Sequence, residues 1–234
     1  MALLRSSPDL ESIVLNIEGE HAPYSPTLVL EPLGIGCPLE DVSSDGMDLD
    51  ELSRLLPSVK HLACPLFLCE AVIISKLATQ LESLNVSDSS PGKPDDAPFA
   101  PLLKVMTEDS LPNLRKLAIW DDFSSYLLEA EVLEVFFLAA KGLEELEFRI
   151  DVDDYDEFLS ILSGARNLQR ITMDQHPFRE YELSDDAWGS MMAALAEACP
   201  LLERIVHYHG IDSWAVVRSG SDQPTIEKIE TRFL

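Results

Sequence analysis

The phrases LPNLRKLAIW (111–120), KGLEELEFRI (141–150), RNLQRITMD (166–174) and PLLERIVHY (200–208) decide how this chain folds. Each begins its pattern at an apolar residue, Leu114, Leu143, Leu168 or Leu202, and continues with two polar residues before apolar ones at the fourth and sixth places. His207 takes the sixth place in the last phrase. Weaker copies start at Leu10, Val59, Leu81 and Ile226, and a ninth starts at Leu30. One copy alone means little, because at 46% hydrophobic content three apolar positions match by chance in about one window in ten. Their shared order means more. In every copy except the one at Leu30, both residues after the first apolar position are polar or charged, and most copies follow Pro, Gly or Asn. The spacing is irregular, from 20 to 34 residues, with a mean of about 27, within the roughly 20–29 of a strand-plus-helix repeat.

Alternation at the fourth, fifth and sixth places predicts a short strand in each phrase. The segments between phrases read as helices, which parallel strands require as crossovers. The clearest is SDDAWGSMMAALAEACP (184–200), with Ser184 as N-cap, Asp185 and Asp186 at the positive helix end, and Trp188, Met191, Met192 and Leu195 on one apolar face. Helices are also expected at about 154–165, 125–140, 48–56 and 67–79. The expected architecture is therefore α/β: a leucine-rich-repeat solenoid of eight or nine units, with a curved parallel sheet on the concave side and helices on the convex side. It should form a single irregular domain over residues 1–234. Only SDSSPGKPDDAPFAP (87–101), with four prolines, breaks the pattern, and it reads as a mobile loop inserted in one unit.

Charge narrows the function. The chain carries 42 Asp and Glu against 17 Lys and Arg, a formal net charge of -25. Nucleic-acid affinity rests on clustered cations that release counterions, and no basic run is present, so neither nucleic acid nor an anionic membrane is an expected partner. A basic protein would instead be steered inward. Cys37, Cys64, Cys69 and Cys199 form no CxxC pair, which points to a reducing compartment, cytoplasmic or nuclear. The N-terminal stretch lacks the apolar core of a signal peptide.

Sites of chemistry are weak. Asp151, Asp153, Asp154 and Asp156 suggest calcium, but an EF-hand loop begun at Asp151 needs Gly at 156 and Glu at 162, where Asp and Leu stand. His207, Tyr208, His209, Asp212 and Ser213 include hydrolase residue types without a GxSxG or HExxH motif. No glycine-rich phosphate loop occurs. No cofactor, metal or enzymatic activity is expected.

LPNLRKLAIW, GLEELEF, ARNLQRITM and ACPLLERIVHY, followed by Trp214 and Val216-Val217-Arg218, resemble the leucine-rich-repeat region of fungal F-box-like proteins. The resemblance implies a substrate receptor for a ubiquitin ligase. The first phrase starts within ten residues of the chain's beginning, and no F-box is recognisable, which puts a scaffold partner in doubt. Residues Asp122, Asp151, His176 and Gly210 stand where regular members close the phrase with Asn or Cys. The alternative is a repeat-built regulator of an enzyme, such as a GTPase-activating protein, presenting an exposed arginine. If the first, fourth and sixth places face the core, the third, fifth and seventh face the concave surface. The seventh places are Trp120, Arg149, Asp174 and Tyr208 and the third are Lys116, Glu145, Arg170 and Arg204. Trp, Tyr and Arg dominate interface hot spots, so Trp120, Arg149, Asp174, Tyr208, Lys116, Arg170 and Arg204 form the expected protein-binding site.

Overall fold

The computed structural model describes residues 11–18, 25–31, 35–38, 57–88, 99–121, 127–128, 130–148, 151–152, 155–173, 185–207, 213–218 and 224–229. Strands β1 (Ser12–Glu18), β4 (His61–Pro65), β5 (Ser83–Asp88), β6 (Lys116–Asp121), β8 (Glu145–Phe148), β10 (Arg170–Met173) and β11 (Arg204–His207) lie side by side in that order, all parallel. Each belongs to one of the repeated phrases. Helices occupy the crossovers: α1 (Leu66–Ile74), α2 (Ala100–Val105), α3 (Ala130–Ala139), α4 (Tyr155–Leu162) and α5 (Asp185–Ala198). The result is an α/β fold on an open, mostly parallel sheet.

Equivalent places in the phrase sit opposite one another. The fourth places, Ile13, Leu62, Leu84, Leu117, Leu146, Ile171 and Ile205, form one continuous register row. All are buried, as are the first-place residues Val59, Leu81, Leu114, Leu143, Leu168 and Leu202. Row four packs into one core with Val72, Leu133, Phe136, Leu162 and Leu195 from the helices. At the sixth place the Phe148 ring meets Phe158 of α4 edge-on, with centroids 5.4 Å apart. The fourth and sixth places thus face the helices, and strand alternation turns the third and fifth to the opposite side.

The backbone repeats as faithfully as the side chains. The carbonyl of each second-place residue, Glu11, Lys60, Glu82, Arg115, Glu144 and Gln169, accepts the N–H groups of the second and third residues of the next phrase at 2.7 to 3.1 Å. A carbonyl has two lone pairs, so one oxygen satisfies two donors and steps the chain from unit to unit. Before four phrases the first-place N–H closes a tight turn: Leu114 to Leu111, Leu143 to Ala140, Leu168 to Ala165 and Leu202 to Cys199.

Amide rungs occur just ahead of the phrases rather than behind them. The Asn113 side chain donates to the Thr79 carbonyl at 2.6 Å and Asn167 to the Lys141 carbonyl at 2.8 Å, each bridging to the turn of the preceding unit. At the far end, the Arg218 guanidinium donates to the carbonyls of Ala196 at 2.8 Å and Cys199 at 2.9 Å, and to that of Leu202. It caps the last helix, whose terminal carbonyls have no partner within the helix.

Several expectations need correction. The phrase at Leu30 begins at the end of β2 (Ser25–Glu31), which pairs antiparallel with β1 and with β3 (Ile35–Pro38), where its sixth place Ile35 stands. The phrase at Ile226 lies in β13 (Thr225–Ile229), antiparallel to β12 (Ser213–Val217), itself antiparallel to β11. Neither is a parallel unit, because the links are too short: a parallel return needs about a dozen residues or more, whereas a hairpin closes with very few. Among the described residues seven parallel strands therefore stand where eight or nine units were expected. Residues 127–128 form a strand, β7, paired with β9 (Asp151–Val152), instead of the start of α3. The helix expected at 67–79 breaks at Ser75, whose hydroxyl donates to the Val72 carbonyl and accepts from the Leu77 N–H that opens a 3-10 turn. Within 87–101, Ser87 and Asp88 end β5, and Phe99 is buried beside α2. Residues 89–98, and the helix expected at 48–56, lie outside the described residues.

Candidate functional site

The face turned away from the helices carries the third- and fifth-place residues. Its third row runs Ser12, His61, Ser83, Lys116, Glu145, Arg170 and Arg204 across neighbouring strands. Lys116, Arg170 and Arg204, expected together from the phrase, do lie on one register row. Trp120 is set by its backbone opposite Ser87 at the end of β6, with its side chain outside the described residues. Arg149, Asp174 and Tyr208 also lie outside them.

Charge pairing separates structural positions from free ones. At the second places, signs alternate from unit to unit: Glu11, Lys60, Glu82, Arg115, Glu144, then Gln169 and Glu203. Lys60 pairs with Glu82 at 2.8 Å and Arg115 with Glu144 at 3.3 Å. The Lys60–Glu82 hydrogen bond raises the Lys60 pKa above its usual value and lowers that of Glu82. Both cations of this row are thus taken up by carboxylates of the next unit. Exposed pairs are each worth about 0–1 kcal/mol, so their role is to fit one unit to the next.

The third row begins the same way and then departs from it. Lys116 pairs with Glu145 at 3.6 Å, both about 40% exposed (44% and 41%). The next two places are Arg170 and Arg204, directly opposite each other on adjacent parallel strands. Like charges facing across strands oppose folding. Neither arginine forms an ion pair among the described residues. Arg204 donates to the Ser213 hydroxyl at 3.4 Å, and the Arg170 Nε is buried without a hydrogen-bond partner.

A shallow depression of about 230 Å³ lies farther along the same face, over β1 to β8, with Val14, Ala63, Asn85 and Ala118 on its floor and His61, Lys116 and Glu147 around it. The Asn85 Oδ1 is buried and accepts no hydrogen bond among the described residues. Sequence reasoning passed over Asn85, Ala63 and Ala118; their signal is the fifth place of three phrases, which becomes a site only when the register is known.

Other places suit chemistry less well. A groove of about 590 Å³ beside α3 and α4 is lined by Phe137, Leu138, Lys141, Ile161 and Asn167 among others. Its Lys141 is engaged by Glu108 at 2.5 Å and Asp109 at 3.3 Å, and Asn167 is the rung already described. The Cys64 and Cys69 sulfurs lie 3.6 Å apart, fully buried, and the thiol–thiol contact with burial holds the Cys69 pKa well above its usual value. Such thiols are poor nucleophiles, because the thiolate is the reactive form. Of the polar group at 207–213, Ser213 is buried under Arg204, while Tyr208, His209 and Asp212 lie outside the described residues. Asp153 and Asp154 lie outside them as well. Among the described residues no three His, Cys, Asp or Glu side chains gather as metal ligands, and no helix is long and apolar enough to cross a membrane.

A scan against models of protein families gives no match to this chain, and a search of curated proteins gives none.

Proposed function

We propose that the chain is a leucine-rich-repeat solenoid whose helix-free sheet face recognises another protein, in the manner of the substrate-binding part of an F-box-like ubiquitin-ligase receptor. The observation that carries this reading is the in-register pair Arg170 and Arg204, next in the row after the paired Lys116 and Glu145. Juxtaposed like charges with a buried unmet donor weaken a fold, and they are kept where a ligand completes them. The polar, mixed-charge row of Lys116, Glu145, Arg170 and Arg204 suits a protein surface, where charge sets partner choice and on-rate. The F-box-like part of the reading rests on the resemblance of the phrases alone.

The test is cross-linking and affinity capture from cells with the wild-type chain and with a Lys116→Glu, Arg170→Glu, Arg204→Glu variant. A bound protein should be lost from the variant at least about tenfold, the scale of one charged contact. Ubiquitin-ligase scaffold subunits in the captured set favour the receptor; a GTPase favours the regulator. Undiminished capture by a variant with unchanged circular dichroism would overturn the reading.

A further inference from the structure

The depression around Asn85 points to a more specific ligand. Along the fifth row Asn85 stands between Ala63 on β4 and Ala118 on β6, both directly in register with it. Neither methyl group can reach the amide, so no neighbouring side chain answers the buried Oδ1. Buried acceptors without partners are uncommon in folded proteins, because the lost hydration is not repaid. Next in the row after Ala118 comes Glu147, which lines the same depression and forms no ion pair among the described residues. Lys116, at the rim, is drawn toward Glu145. An unmet acceptor and a carboxylate without an ion pair among the described residues thus line one depression, over a floor that includes two alanines.

We infer that this depression is a socket for one cationic side chain, an arginine or lysine, of a basic protein partner. A guanidinium carries five N–H donors on a planar fork, enough to meet the Asn85 Oδ1 and the Glu147 carboxylate together. The volume of about 230 Å³ falls below the roughly 300–1,000 Å³ of small-molecule pockets, and matches one inserted side chain instead. The net charge of -25 draws a basic partner toward this chain before contact. The inference rests on the protein-recognition reading and adds to it the chemistry of the residue received.

The probe is N-acetyl-arginine amide, titrated into isotope-labelled protein at constant ionic strength and followed by amide chemical shifts. Tetramethylammonium, a cation without N–H donors, is the control. Shifts should saturate and cluster at Ala63, Asn85 and Ala118 with the arginine probe only. Glu147→Gln and Asn85→Ala should each weaken binding about tenfold, the scale of one charge-assisted hydrogen bond. Asn85→Asp, which adds a carboxylate, should tighten it, and retains a reading should Asn85→Ala fail to fold. Shifts spread evenly over the acidic surface, equal binding of tetramethylammonium, or no saturation would each refute the socket. Loss of the arginine probe's binding alone, with protein capture still dependent on Lys116, Arg170 and Arg204, would refute the socket and leave the recognition reading standing. The reverse result would remove the recognition reading.

Discussion

Replacing Arg218 tests whether the array is held at its C-terminal end by the cap described above. The guanidinium binds three carbonyls, of Ala196, Cys199 and Leu202, residues that are themselves buried. Stranding a buried carbonyl costs about 1–3 kcal/mol. Arg218 itself is exposed, so water reaches the vacated place and the lower end applies, about 1 kcal/mol for each carbonyl. Losing a cation at a helix C-terminus adds about 0.3–1 kcal/mol, so Arg218→Ala should cost about 3–4 kcal/mol in all. Lysine keeps the charge but lacks the planar fork, and Arg218→Lys should recover less than half. Urea unfolding followed by circular dichroism should show the midpoint falling by roughly 1–2 M for a slope of about 2–3 kcal/mol/M. Because repeat arrays are stabilised mainly by nearest neighbours, amide exchange should rise over residues 196–207 and stay unchanged over β5 to β8. A loss below about 0.5 kcal/mol, the size of an ordinary surface substitution, or full rescue by lysine, would refute the cap.

Two further outcomes follow from the register and from burial. Leu146→Ala, at a site 1% exposed, should cost about 2–5 kcal/mol in urea unfolding, while Glu147→Ala, one residue on and turned the other way, should change stability by less than about 1 kcal/mol; equal losses would mean the strand faces are misassigned. Burial pushes the Cys199 thiol up from its usual 9.0 to about 12, against the opposing pull of Arg218. The thiol is therefore protonated in the fold while the unfolded chain ionises, so its contribution is complete below pH 9 and is lost as pH rises toward 12. Between those limits the stability of the wild type should fall faster than that of Cys199→Ala by up to about 1.4 kcal/mol per pH unit, and parallel pH curves would contradict the burial argument.

The repeating strand and the side each of its residues faces are legible in the order of residues alone. These are local properties: alternation has a period of two, so the apolar places at 114, 117 and 119 assign every neighbour of Leu117 to one face or the other. Copying the phrase at 81, 143, 168 and 202 then aligned the strands, since a shift by one residue would have turned each core row toward solvent. The same copying places Lys116, Arg170 and Arg204 on one row. The direction of pairing was not legible in the same way. The phrases at Leu30 and Ile226 have the right alternation, but alternation is identical in parallel and antiparallel strands, and the connecting segments decide between them. The Asn113 and Asn167 rungs were visible as residues, yet their acceptors lie 34 and 26 positions earlier and belong to another unit. The Asn85 depression depended most on the tertiary structure. Its floor comes from four phrases with different side chains, and only stacking reveals that two alanines leave the amide oxygen between them unanswered. An unmet hydrogen bond is a property of a neighbourhood, which the order of residues along one strand does not contain.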